Sequence, residues 1–267
     1  MENVIDNVLL VKVGTNTLTE KCRDGSERLD IRSFARISKQ IINLQKGGMN
    51  IAIISSAAIT AGMVATGLKK RPSKEQDMVN LQRLASIGWR PVLNAWDREL
   101  QTLTVGELLL THAELDLNSE RSEVLQVTHE LMKQGDIVIA NENDAISHIE
   151  IAFGDNDKLA ATFAAKIGQS ALFGSNIRLV LLSDIDGVYA DINDRNSVIN
   201  TIYDIDAYDH CVRDTDKEGG TGGMLTKFDA ARIAMSAGVE MWIANGRTEN
   251  AIARALSGEI GTRFALT

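Results

Sequence analysis

The chain has 267 residues, 44% of them hydrophobic and 24% charged, and a formal net charge of -8. That length suits one large α/β core, and the acidic balance speaks against nonspecific nucleic-acid binding. The two cysteines, Cys22 and Cys211, have neither a disulfide framework nor metal-ligand spacing. No apolar run reaches the roughly 18 residues that span a bilayer, and no signal peptide is visible, so a cytoplasmic protein without membrane or nucleic-acid partners is expected.

In chain order, residues 8–13 (Val-Leu-Leu-Val-Lys-Val) read as a strand and 14–17 as a turn. Ile31, Phe34, Ile37, Ile41 and Ile42 share one side of a helix over 31–45, which Gly47-Gly48 ends. Residues 51–54 form a second buried strand that leads through Ser55-Ser56 into a helical stretch. The basic, proline-broken segment 69–74 is a surface loop. Helices are predicted over 78–87 and 91–100, with Pro91 in a first turn, a strand over 108–110, and a helix over 119–133 closed by Gly135. Residues 137–140 are a short buried strand and 158–167 a helix with Leu159, Phe163, Ala164 and Ile167 on one face. A strand over 179–182, a less regular region over 189–216, a helix over 224–237 and a strand over 239–243 complete the pattern. Strands alternating with helices argue for βαβ units, hence a three-layer αβα sandwich with a mostly parallel central sheet. One domain is expected, with an acceptor-binding lobe over about 1–172 and a nucleotide-binding lobe over about 173–267.

The polar residues gather where strands end, which is where open α/β sheets bind ligands. Between the strand at 137–140 and the helix at 158–167 lie two clusters, Asn141-Glu-Asn-Asp144 and Asp155-Asn-Asp157; turn-making and capping explain one cluster more easily than two. Lys12 sits in an apolar strand, where it either snorkels or meets an anion, and Gly14 lets backbone N–H groups approach that anion. Gly219-Gly-Thr-Gly-Gly-Met-Leu-Thr-Lys227 opens a helix with glycines that suit a phosphate cradle; the alternative is a plain hinge. Lys227 in that first turn is misplaced against the helix dipole unless an anion compensates it. Ser55-Ser56 can hold an acceptor carboxylate or simply cap a helix, and Ser183-Asp184 ends another strand. Two lysines and two glycine-rich turns suit a transferring phosphoryl group, whose charge must be neutralised in the transition state.

These motifs resemble the amino acid kinase family over nearly all of the chain. The resemblance rests on Val11-Lys-Val-Gly-Thr15, Ser55-Ser56 with Ala61-Gly62, Asn141-Glu-Asn-Asp144, Phe153-Gly-Asp-Asn-Asp157, Leu181-Leu-Ser-Asp184 and Gly222-Gly-Met-Leu-Thr-Lys227. Within the family, the paired Asn-Glu-Asn-Asp and Gly-Asp-Asn-Asp blocks resemble the members that phosphorylate the side-chain carboxylate of L-glutamate, the first step of proline synthesis. The implied catalytic residues are Lys12, Asp155 and Lys227, with Asp155 orienting both ammonium groups. Ser56, Asp144 and Asn156 match positions that hold glutamate. Lys12, Gly14, Ser183, Asp184 and Thr221, Gly222, Gly223, Met224, Leu225, Thr226 and Lys227 match positions that hold ATP. Asp157, Asn141 and Asn143 are implied to support them. ATP with nucleotide-bound Mg2+, no protein metal site, a homodimer or homotetramer, and a form without the C-terminal PUA domain of many relatives are also implied. The chain departs from the family at Ala57, where glycine is usual, at Trp89, where glutamine is usual, at Asn16, where serine is common, and near 122–125, where an Asn-Ala pattern is missing. The departures keep open another small carboxylate, carbamate or phosphate acceptor, or a nucleotide-binding paralogue without turnover.

Overall fold

The computed structural model describes residues 4–73, 77–116, 122–147, 156–211 and 223–266. Its frame is an eight-stranded sheet in the order β5-β6-β4-β1-β7-β9-β10-β8. The strands are β1 (Val8–Val13), β4 (Asn50–Ser55), β5 (Val105–Leu110), β6 (Ile137–Glu142), β7 (Ile177–Ser183), β8 (Thr201–Ile202), β9 (Glu240–Asn245) and β10 (Thr262–Phe264). All neighbours pair in parallel except β9 with β10. Strands β2 (Thr19–Lys21) and β3 (Glu27–Leu29) form a separate antiparallel hairpin.

β1 shows why the sheet needs cover on both sides. Every residue in it is buried, and its side chains alternate between two cores. Val8 and Leu10 join a core with α7 (Asn156–Gly168) and α8 (Gly223–Ser236). Leu9, Val11 and Val13 join a core with α2 (Ile31–Lys46), α3 (Ala58–Thr66), α4 (Met78–Leu100) and α9 (Ala251–Leu256). The expected three-layer sandwich is therefore the observed one. By the same parity Lys12 falls on the side of α7 and α8. β1 is also where the strand order reverses, with β4 on one flank and β7 on the other, so a crevice opens at its C-terminal end.

The remaining described helices are the single turn α1 (Thr15–Leu18), α5 (His112–Asp116) and α6 (Glu123–Lys133). Several expectations are corrected. Residues 78–87 and 91–100 are one helix, α4, with Pro91 inside it. Proline there removes the hydrogen bond to the carbonyl of Ile87, which is 38% exposed, so water can replace the lost partner. The hairpin β2–β3, the strand β10 and the helix α9 were not expected from sequence, and the irregular region contains β8. The helix expected from 119 begins at Glu123, with 119–121 outside the described residues, as is residue 74 of the basic loop.

Candidate active site

Strand parity and helix register bring three charges together. Lys12 Nζ lies 2.6 Å from Asp157 Oδ1, and Lys227 Nζ lies 3.0 Å from Asp157 Oδ2. The side chains are 11%, 12% and 4% exposed in the order Lys12, Lys227, Asp157, so water screens them little. Burial pushes the Asp157 carboxyl up, but the charges and hydrogen bonds of the two ammonium groups outweigh it and hold it well below the usual carboxylate range. Lys227 Nζ also donates to the carbonyl of Gly223 at 3.2 Å. The lysine that sat awkwardly in a first helical turn is thus compensated by Asp157. Among the described residues, two ammonium groups meet one carboxylate here, an arrangement whose spare donors suit an incoming phosphate.

One expected role falls outside what the structure describes. Asp155, expected to orient both lysines, lies outside the described residues, as do Thr221 and Gly222. Among the described residues, the carboxylate that touches both ammonium groups is Asp157, expected only as a supporting residue. Gly14 follows β1, and its own N–H donates to the Leu182 carbonyl at 3.1 Å. A Cβ there would meet Lys12 Nζ at 3.5 Å, an ordinary contact distance.

On one side of the cluster, Asn156 at the start of α7 donates to Ser56 Oγ and to Asn141 Oδ1, both at 3.0 Å. Ser56 follows β4, Asn141 is the penultimate residue of β6, and Asp144 lines the same small cavity with them, joined by Ala57 and Arg71. Burial, then the neighbouring Glu142 carboxylate, pushes the Asp144 carboxyl up to about 7, against the hydrogen bond of Asn141 and the charge of Arg71. Asp144 Oδ1 and Glu142 Oε2 are buried without a hydrogen-bond partner. Asn143 is not in this lining; its backbone makes the turn after β6. Trp89 is not there either. It donates to Glu107 of β5, so the acceptor-side departure that the cavity records is Ala57.

On the other side, Ser183 ends β7 and Asp184 follows it. A cavity of about 240 Å³ begins at Asp184 and is walled by Ile185, Tyr189, Ile192, Arg195 and Met224. Asn16 donates to Asp184 Oδ2 at 2.8 Å, and Arg247 donates to the Asn16 carbonyl at 2.9 Å, tying the β1 and β9 ends together. Thr226 Oγ1 stands 3.4 Å from Asp157 Oδ2, while Leu225 points largely outward. Sequence reading missed Tyr189, Ile192 and Arg195, which lie in an irregular stretch with no motif. It also missed Arg71, although the basic run 69–71 was a visible signal.

The amino acid kinase family model matches residues 7–245. A glutamate 5-kinase of Thermus thermophilus is 34% identical over 262 residues, covering 96% of this chain and 66% of that protein. One of Aliivibrio salmonicida is 32% identical, covering 98% and 69%. The chain thus spans about two thirds of the length of the curated relatives it matches. Among solved structures, a UMP kinase of Bacillus anthracis superposes with a TM-score of 0.61 at 15% identity, over 97% of this chain and 95% of that one. The N-acetylglutamate synthase of Neisseria gonorrhoeae superposes at 0.63 with 14% identity, over 98% and 62%. With the fold, the motifs and the paired lysines in agreement, the chain belongs to the amino acid kinase family.

Proposed function

We propose that this chain transfers the γ-phosphoryl group of ATP to the side-chain carboxylate of L-glutamate, forming L-glutamyl 5-phosphate for proline synthesis. The observation that carries the reading is the bridge from Lys12 through Asp157 to Lys227 at the strand-order reversal, between two cavities of different character. Lys12 and Lys227 would neutralise charge on the transferring group, and Asp157 would fix their positions. The site suits a nucleotide: each lysine keeps donors beyond those used on Asp157, and the larger cavity offers both apolar wall and polar ends. Ser183, Asp184, Gly223, Met224, Leu225 and Thr226 would hold ATP, and so would Thr221 and Gly222. Magnesium would arrive on the phosphate oxygens and neutralise part of their charge. Ser56, Asp144 and Asn156 would hold glutamate, supported by Asn141. A carboxylate is already a nucleophile at neutral pH, so no general base is needed, in keeping with the lack of a histidine among the residues described in either cavity.

On this reading the strands β5, β6, β4 and β1 belong to an acceptor lobe and β7 to β10 to a nucleotide lobe. A cytoplasmic homodimer or homotetramer fits Leu109, exposed on the edge strand β5. Among the described residues no helix is long and apolar enough to cross a membrane. The direct test mixes protein, ATP, magnesium, glutamate and hydroxylamine. Glutamyl hydroxamate should form, and none above a Lys12→Ala control would reject the activity. A second acceptor is the reading that Ala57 favours, because its methyl group lines the acceptor cavity; ADP release with another acid but not glutamate would select it.

A further inference from the structure

The acceptor cavity carries both signs of charge. Asp144 is buried in it with one carboxylate oxygen unpartnered. Arg71, from the basic segment after α3, is the one cationic side chain lining it among the described residues. Its neighbour Lys69 is turned away to Asp24 of the β2–β3 hairpin at 3.4 Å, whereas no ion pair among the described residues holds Arg71. The other nearby cations, Lys12 and Lys227, are already committed to Asp157.

An α-amino diacid brings three charges to such a site. Its reacting carboxylate must face the lysine pair, and its ammonium group matches Asp144. The α-carboxylate is left over, and burying it unpaired would be costly. A guanidinium meets a carboxylate with two parallel N–H bonds, a geometry no serine or backbone turn reproduces. Resting on the proposed activity, we infer that Arg71 holds the α-carboxylate of the acceptor opposite Asp144, so that the cavity selects α-amino acids by reading both charges of the zwitterion.

The test uses two acceptors, glutamate and 4-aminobutyrate. The second keeps the ammonium group and the reacting carboxylate and lacks only the α-carboxylate. The wild-type chain should prefer glutamate. In Arg71→Ala the kcat/KM for glutamate should fall by about tenfold or more, the loss usual for a charged hydrogen bond, while that for 4-aminobutyrate stays within about twofold. Arg71→Lys should recover part of the preference, and calorimetry without nucleotide should show weaker glutamate binding to Arg71→Ala. Equal losses for both acceptors, or none for glutamate, would overturn the assignment and leave the α-carboxylate to the N-terminus of α3. A wild-type chain that turns over neither acid would overturn the proposed activity and this assignment with it.

Discussion

Ala57 holds φ 82° and ψ 7°, a left-handed conformation, at the start of α3 and on the wall of the acceptor cavity. An L-residue there costs about 1–2 kcal/mol, while a glycine loses about 0.5–1 kcal/mol more freedom on folding. The first effect is larger. Ala57→Gly should therefore stabilise the protein by about 0.5–1 kcal/mol, read as a higher urea midpoint with an unchanged slope; a lower midpoint would contradict it. Asp144 makes a pH prediction. With its carboxyl pushed up to about 7 by burial and Glu142, the folded state holds a proton that the unfolded state releases above the ordinary value of 3.8. This group therefore takes stability away as pH rises from about 4 through 7. Glutamate capture wants the opposite form, the charged carboxylate. The kcat/KM for glutamate should rise between about pH 6 and pH 8, and a flat profile would remove Asp144 from the ammonium site. The sequence made the acceptor residues legible as a set, but not that Asp157 touches both lysines. Gly154-Asp-Asn-Asp157 offers two carboxylates two residues apart, and nothing in that spacing marks Asp157 for the contact. The start of α7 at Asn156, together with the parity of Lys12 in β1, brings Asp157 onto both ammonium groups.

Helices α3 and α4 cross with backbones in contact. A Cβ on Gly62 would fall 1.9 Å from the Leu84 carbonyl oxygen, and one on Gly88 would fall 1.8 Å from that of Ala58. Those oxygens are backbone and cannot step aside. Gly88→Ala should destabilise the protein by about 3 kcal/mol, near the top of the overpacking range, and should raise KM for the acceptor because α3 carries the Ala57–Ile59 wall. Chemical denaturation and steady-state kinetics check the two halves, and wild-type stability would show that the helices can part. Gly62 reads in sequence as a motif letter, and the packing role of both glycines appears only once the two helices meet. Buried strands and amphipathic helices were legible because burial writes a strong period, as in Phe34, Ile37 and Ile41 of α2. The hairpin β2–β3 was not, since Thr-Glu-Lys and Glu-Arg-Leu are short, half exposed and without alternation. Pro91 misled for a different reason: a breaker is tolerated where one carbonyl can turn to water.

Across the molecule, one sheet carries the site. Lys12 lies near the end of the strand at which the order reverses, Ser56 and Asn141 lie near strand ends on one flank, and Ser183 and Asp184 lie on the other. The lysine from near the start of the chain and the one from near its end can meet only because β1 is central and α7 and α8 cover the same face. Fold class was readable from alternating elements; the convergence of these ends was not, because it depends on which strands become neighbours. The most direct measurement is kcat of Asp157→Asn at saturating ATP and glutamate, with folding verified by circular dichroism. Loss of the group that aligns both transition-state cations should lower kcat by about a hundredfold or more. A variant that turns over within about twofold of wild type would show that the bridge between Lys12 and Lys227 is not the centre of this chemistry.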